Sequence, residues 1–382
     1  MNFNKRKLLV FPLGQPIGNF YTTTMKSDEL YSLSKADIMR IAEDEIDGLL
    51  YDGVQRELNQ KKVKKIVKYL SQPDATFPNS IILNLNMNYF IKSYEENEKN
   101  YIEFIKDENT FSIIDGQHRL EGLKEANLNI DVPVSIYTNL RIDQQQEIFT
   151  RINSEQTKIN PSVTIYQEST GKYNTPRKFA AKIAISFGVD RKSVWNQKIK
   201  IVGKKDMYSK NGVISLKSFY EPILDFIYND DDYYIVREKI IESNNRPKLI
   251  DINYTKEKYI FWEFYVKGDS ASVYKILNNF FDACKLIFPK EWEEKNKESI
   301  LQKTTGYYAL MSVFKKLYVK GISEGDLSLK YFENMMSPLN NLDGKINAKN
   351  YSSSGLQSSK KLYDEFAKWI FPDSELKEDF FD

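Results

Sequence analysis

The chain of 382 residues has one cysteine, Cys284, and one histidine, His118. A structural zinc site takes about four Cys/His ligands, while a disulfide or a CxxC redox pair takes two cysteines, so none of these can be built within the chain. A Ser-His-Asp triad or an imidazole general base has a single address, His118. Charge of one sign is also missing: 55 basic residues face 53 acidic ones, a net +2 at pH 7. Such a balance does not by itself mark a nucleic-acid binder, although local clustering can. No apolar run approaches the roughly 18–20 residues of a membrane span, and the opening apolar segment is too short for a secretory signal. The expectation is a cytoplasmic protein without membrane contact, and a lone cysteine agrees with a reducing compartment.

What is present is ample core material, with 41% hydrophobic and 14% aromatic residues. Length suggests two to three domains. The first 160 or so residues alternate strand-like and helix-like patterns and the rest reads mainly as helix. The expected architecture is therefore α+β: an α/β domain over 1–165, then a mainly helical region over 166–382. Strands are expected at Leu8–Phe11, Phe20–Met25, 79–86, Phe111–Ile114 and 132–138. A helix with an acidic outer face is expected over 36–50, and a helix or excursion over the Lys- and Glu-rich 92–109. Asn59 suits the N-cap of KKVKKIVKYL, in which Val63, Ile66, Val67 and Leu70 form one apolar stripe with lysines outside. Asn160-Pro161 and Thr175-Pro176 are helix starts, and Asp143 can cap a helix. Further helices are expected around 232–243, 271–288, 300–319 and 358–370, with turns at Asp343-Gly344 and the serine cluster 352–354.

Between a predicted strand and a predicted helix stands Asp115-Gly116-Gln117-His118-Arg119. A glycine there permits close backbone approach to a ligand, and the first amides of the helix suit an anion. Arg119 can offer a bidentate fork to phosphate oxygens and His118 one further donor. Asp115 can hold Mg²⁺, a hard cation that binds through one or two carboxylates plus phosphates. The same residues also fit an ordinary helix start, with Asp115 as N-cap and Gly116 as a turn residue, and local spacing does not choose.

The run FSIIDGQHRLEGL, followed by VPVSIYTNL and FTRINSEQTKINPS, resembles the DGQHR-domain family, whose relatives include the DNA phosphorothioation regulator DndB. FPLGQPIGNFY, GVQRELNQKKVKKIVKYL and FPNSIILNLN extend the resemblance over about residues 8–165. That family in turn resembles the ParB/sulfiredoxin superfamily, in which a loop leading into a helix binds nucleotide phosphates. Sulfiredoxins carry Gly-Cys-His-Arg where this chain has Gly116-Gln117-His118-Arg119, which implies phosphate binding without thiol chemistry, because an amide is no thiolate nucleophile. The resemblance implies a nucleotide; the expected ligand is an NTP, ATP first though the sequence does not choose among ATP, GTP and CTP, together with the Mg²⁺ that Asp115 can hold. It gives Asp115, His118 and Arg119 as the candidates for catalysis, and Gly116, Gln117, His118 and Arg119 for phosphate contact. Gln55 and Arg56, and on the other side Asn153, Gln156 and Lys158, are its candidates for closing the site. The implied setting is a bacterial or phage-defence DNA modification and restriction system, with DNA and other modification proteins as partners. An NTPase and a non-hydrolytic DNA-binding regulator or scaffold both fit, and oligomeric state stays open.

The stretch 187–217 concentrates basic residues, with Arg191, Lys192, Lys198, Lys200, Lys204 and Lys205 as candidate nucleic-acid contacts, and interleaves Trp195, Tyr208 and Phe219 as candidate stacking faces. A solvated lysine-rich loop around one buried tryptophan explains the same pattern. Cys284 shares the apolar face of its helix with Ile276, Leu277, Phe280 and Ile287 and is expected to be a core residue.

Overall fold

The computed structural model describes residues 4–16, 18–36, 40–44, 48–52, 58–154, 159–205, 209–244, 258–293, 295–351 and 356–372, with the backbone alone at 40–44, 48–52, 153–154 and 356. The chain divides into two compact units, Met1–Lys158 and Ile159–Asp382. The first mixes strand and helix and the second is mainly helical, so the chain is α+β. Among the described residues no helix is long and apolar enough to cross a membrane.

In chain order the first unit contains β1 (Lys5–Gln15), β2 (Gly18–Lys26), α1 (Ser27–Ser32), β3 (Ser34–Lys35), β4 (Arg40–Asp44), β5 (Gly48–Asp52), α2 (Gln60–Leu70), β6 (Ile81–Leu85), β7 (Phe90–Glu96), β8 (Lys99–Ile105), β9 (Phe111–Asp115), α3 (Gln117–Glu125), β10 (Asp131–Thr138) and α4 (Ile142–Ser154). Among the described residues one sheet runs β3-β9-β6-β10-β2-β1-β8-β7. Strand β10 lies at its centre, antiparallel to β2 and parallel to β6. Alternation makes the core: Val132, Val134 and Ile136 of β10 are buried, as are Leu8 and Val10 of β1 and Ile102 and Phe104 of β8. Helix α2 begins at Asn59, whose side chain accepts from the Lys62 amide, and it buries Val63 and Leu70. Helix α3 buries Leu120 and Leu123. The two helices pack closely at Gly122, where a Cβ would lie 2.4 Å from Ile66 Cγ2.

Two expectations are corrected. Within 36–50, expected as a helix, the described residues instead include β4 and the first part of β5, an antiparallel pair with Arg40 opposite Asp52 and Asp44 opposite Gly48. The dipeptide Asp47-Gly48 is a turn signal that a continuous helical reading passes over. Residues 92–109, expected as a helix or excursion, supply most of the β7–β8 hairpin. Its turn residues Asn97 and Glu98 both have positive φ, 51° and 61°, the handedness that lets a two-residue turn match strand twist. Tyr94 and Tyr101 stack across the hairpin with ring centroids 5.7 Å apart.

The second unit contains α5 (Pro161–Thr170), α6 (Pro176–Val189), β11 (Ile199–Lys200), β12 (Ile214–Ser215), α7 (Leu216–Asp225), α8 (Tyr233–Glu242), α9 (Trp262–Lys267), α10 (Ser270–Ile287), α11 (Pro289–Trp292), α12 (Thr304–Glu324), α13 (Leu329–Met336) and α14 (Leu356–Ile370). Asn160 and Thr175 cap α5 and α6 ahead of prolines, as the sequence predicts. The core is aromatic. Trp195 is fully buried and makes edge contacts with Phe219, Phe281, Trp292 and Tyr307 at 5.1–5.7 Å. Buried tyrosine hydroxyls find backbone carbonyls: Tyr307 donates to Phe219 O at 2.7 Å and Tyr331 to Leu317 O at 2.8 Å. Cys284 is fully buried in α10, and burial pushes its thiol well above the usual cysteine range, which suits a core residue rather than a reactive one.

Candidate functional site

Strand β9 ends at Asp115 and α3 begins at Gln117, which leaves Gly116 to make the whole connection. Its φ of 108° and ψ of 5° lie in a region that L side chains rarely adopt. A Cβ there would also approach Ile81 Cγ1 at 3.1 Å and Arg119 Nη2 at 3.2 Å. The helix cap is therefore this glycine. Asp115, which sequence reading allowed as the N-cap, turns its carboxylate instead to Arg119, with Oδ2 2.7 Å from Nη2. Leu120 N donates to Gly116 O in the first helical turn, so the His118 and Arg119 amides have no acceptor within the helix.

Arg119 acts as a clamp. Nη1 donates to Asn79 O at 2.6 Å and Nη2 to Ser80 O at 3.1 Å, besides the bond to Asp115. Asn79 and Ser80 lead into β6, whose Ile82 lies opposite Asp115. One guanidinium thus ties the end of β9 to the entry of β6, and its fork is directed at protein acceptors.

His118 is half-buried, and its Nε2 accepts from the Asn59 amide at 3.1 Å. An accepting Nε2 puts the proton of the neutral ring on Nδ1. Burial first, and then the Lys62 ammonium, hold the imidazole below its ordinary 6.5, with Asp115 acting weakly the other way. The starts of α2 and α3 therefore meet here: Asn59 binds the ring, and Lys62 is close enough to act on it. Gln117, which stands where sulfiredoxins have cysteine, is 7% exposed and belongs to the buried side of α3.

Asp115 to Arg119 come together as one motif, joined by groups that sequence reading did not assign to a site. Asn59 was expected only as a cap and Lys62 only as an outer lysine. The carbonyls of Asn79 and Ser80 carry no side-chain signal that could have found them. Gln55, Arg56, Gln156 and Lys158 lie outside the described residues, and Asn153 is described by its backbone alone. Among the described residues no group of three His, Cys, Asp or Glu is placed to hold a metal ion.

In the second unit Arg191, Lys192, Lys204 and Lys205 are exposed, whereas Lys198 and Lys200 are partly buried. Lys198 Nζ lies 5.7 Å from the Trp292 ring centroid. The expected stacking faces are corrected: Trp195 and Phe219 have no exposed surface, because both belong to the aromatic core. Tyr208 lies outside the described residues.

The model of a family described as "DndB: DNA-sulfur modification-associated" matches residues 15–208, a stretch that includes α2, the glycine turn and most of the basic segment. Among solved structures, the C-terminally truncated chromosome-partitioning protein ParB from Caulobacter crescentus, complexed with CTP-gamma-S, aligns with 66% of this chain and 97% of its own. Identity is 9% and the TM-score 0.24, a likeness too slight to bear on ligands. No curated protein matches the chain.

Proposed function

Because the chain belongs to the DNA-sulfur modification-associated DndB family, we propose that it serves a DNA-modification system as a nucleotide-binding protein, with the turn between β9 and α3 as the phosphate seat. The observation that carries this reading is the left-handed Gly116, which clears side-chain bulk from the start of α3 while Lys62 and His118 stand beside it. The amides of His118 and Arg119, the Nδ1–H of His118 and the Lys62 ammonium would hold the phosphates. These donors fit an anion in number and sign. Mg²⁺, carried with an NTP such as ATP, would neutralise phosphate charge, with Asp115 as its carboxylate ligand. The exposed Arg191, Lys192, Lys204 and Lys205 are then contacts for a DNA backbone, without aromatic stacking from Trp195 or Phe219.

Binding of fluorescent ATP, GTP and CTP analogues to the full chain tests this. Loss of a charge-assisted hydrogen bond in Lys62→Gln or His118→Ala is expected to weaken binding by roughly tenfold or more. If none of the three nucleotides binds, or if both variants bind like wild type, the reading fails.

A second reading, a non-hydrolytic regulator or scaffold, is favoured by one observation: the Asp115 carboxylate already accepts from Arg119 rather than standing free to position water. Phosphate release with and without DNA decides between them. An NTPase predicts release that Asp115→Ala and Arg119→Ala abolish, and a regulator predicts binding without release.

A further inference from the structure

Helix α2 reads QKKVKKIVKYL, with five lysines and no carboxylate. At 100° per residue Lys61, Lys64, Lys65 and Lys68 fall within about 100° of arc, extending about 10 Å along the axis. Val63 and Leu70 are buried on the opposite side, and all five lysines are exposed. Among the described residues Lys61, Lys62, Lys64 and Lys65 make no ion pair, whereas Lys26, Lys92 and Lys106 of the same unit are paired with Asp131, Glu103 and Glu29. Lys61 and Lys62 also occupy the first helical turn, where the macrodipole is positive and a cation is disfavoured. A solvated helix of ordinary composition would place acids there and alternate its charges.

We propose that the outer face of α2 is a binding surface for the phosphodiester backbone of duplex DNA. A polyanion is the partner that relieves this concentration of positive charge. A lipid surface is disfavoured, because an interfacial helix needs its apolar face free for the membrane and here that face is packed in the core. Ammonium groups spread along one exposed helix face meet phosphates as point charges, and contacts of that kind carry no sequence information. DNA as the polyanion rests on the family membership that also supports the functional reading. The surface itself does not require a nucleotide in the glycine turn.

Fluorescence anisotropy of the full chain with labelled duplex DNA, over a salt series and without nucleotide, tests the proposal. Each of Lys61→Gln, Lys64→Gln, Lys65→Gln and Lys68→Gln is expected to lower the log–log salt slope by about 0.9, and the quadruple variant by about 3–4. The loss should be equal for two unrelated duplexes, and the quadruple Lys→Arg variant should keep wild-type binding. An unchanged slope in the single and quadruple variants overturns the proposal. So does binding of wild type to phosphatidylserine vesicles but not to DNA. The quadruple variant retains Lys62 and is expected to bind nucleotide as wild type does, so failure of the DNA face and failure of the phosphate seat give separate results.

Discussion

The two units place their polar groups in opposite ways. In the second, hydroxyls such as those of Tyr307 and Tyr331 are drawn inside and spent on backbone carbonyls within an aromatic core. In the first, the interior is largely aliphatic, and donors gather where helices begin, at Gly116, His118 and Lys62. The difference teaches where damage should appear. Substitutions in the aromatic core of the second unit should be felt as lost stability, and those around the glycine turn as lost binding.

The largest expected effect tests the first half of that statement. Trp195→Ala removes the ring shared by Phe219, Phe281, Trp292 and Tyr307 and should destabilise by about 3–5 kcal/mol in chemical denaturation. Nucleotide affinity should be unchanged under conditions where the variant is folded. An affinity that falls in step with stability would break the separation. Next, Gly116→Ala forces a side chain into φ 108° against Ile81 and should cost roughly 1–3 kcal/mol, with a loss of nucleotide binding larger than the stability change explains.

Gly122→Ala sharpens the contrast within the first unit. Alanine gains about 1 kcal/mol in helix propensity, but its Cβ would meet Ile66 at 2.4 Å and overpacking costs about 1–3 kcal/mol. The net loss should be modest, relieved by Ile66→Ala in the same chain, and without a specific effect on binding.

The smallest effect is a titration. With a single histidine, the chain gives one imidazole signal by NMR, and its midpoint should lie below 6.5. The unfolded state then binds the proton more readily than the native one, so stability rises with pH through the interval up to 6.5 and falls again on acidification. Lys62→Gln should move the midpoint up, and bound nucleotide should do the same by bringing negative charge to the ring. A midpoint above 6.5 in the free protein would contradict a half-buried ring under the influence of Lys62.

Much of this fold is legible in the sequence because its signals are local. The caps Asn59, Asn160 and Thr175, the α2 stripe and the alternation in β10 all act within a few residues. The two hairpins escape for a related reason. Glu- and Lys-rich segments such as 92–109 satisfy helical and extended spacing alike, and the Asn97-Glu98 turn lacks the glycine that announces such turns. At the site, Asp115 to Arg119 can be read as a motif, but the Arg119 clamp cannot. Its partners at Asn79 and Ser80 are backbone oxygens brought close by sheet pairing, which no residue identity encodes. Trp195 is ambiguous in sequence because an aromatic residue among lysines looks the same whether its ring is exposed or buried.

The central position of β10 sets the order in which the molecule can be assembled. Its ladders reach back to β2 and β6, and the Lys26–Asp131 bond spans 105 residues, so the sheet cannot close until nearly the whole first unit has been synthesised. Pairing over such separations is slow compared with helix formation. During synthesis α2 and α3 can coil early, yet the clamp from Arg119 to the β6 entry gains its rigid backing only when the last strand arrives. The Arg119-clamped glycine turn, the proposed phosphate seat, is therefore a late product of folding, and a nascent chain shorter than about 140 residues would carry the DGQHR motif without its sheet backing.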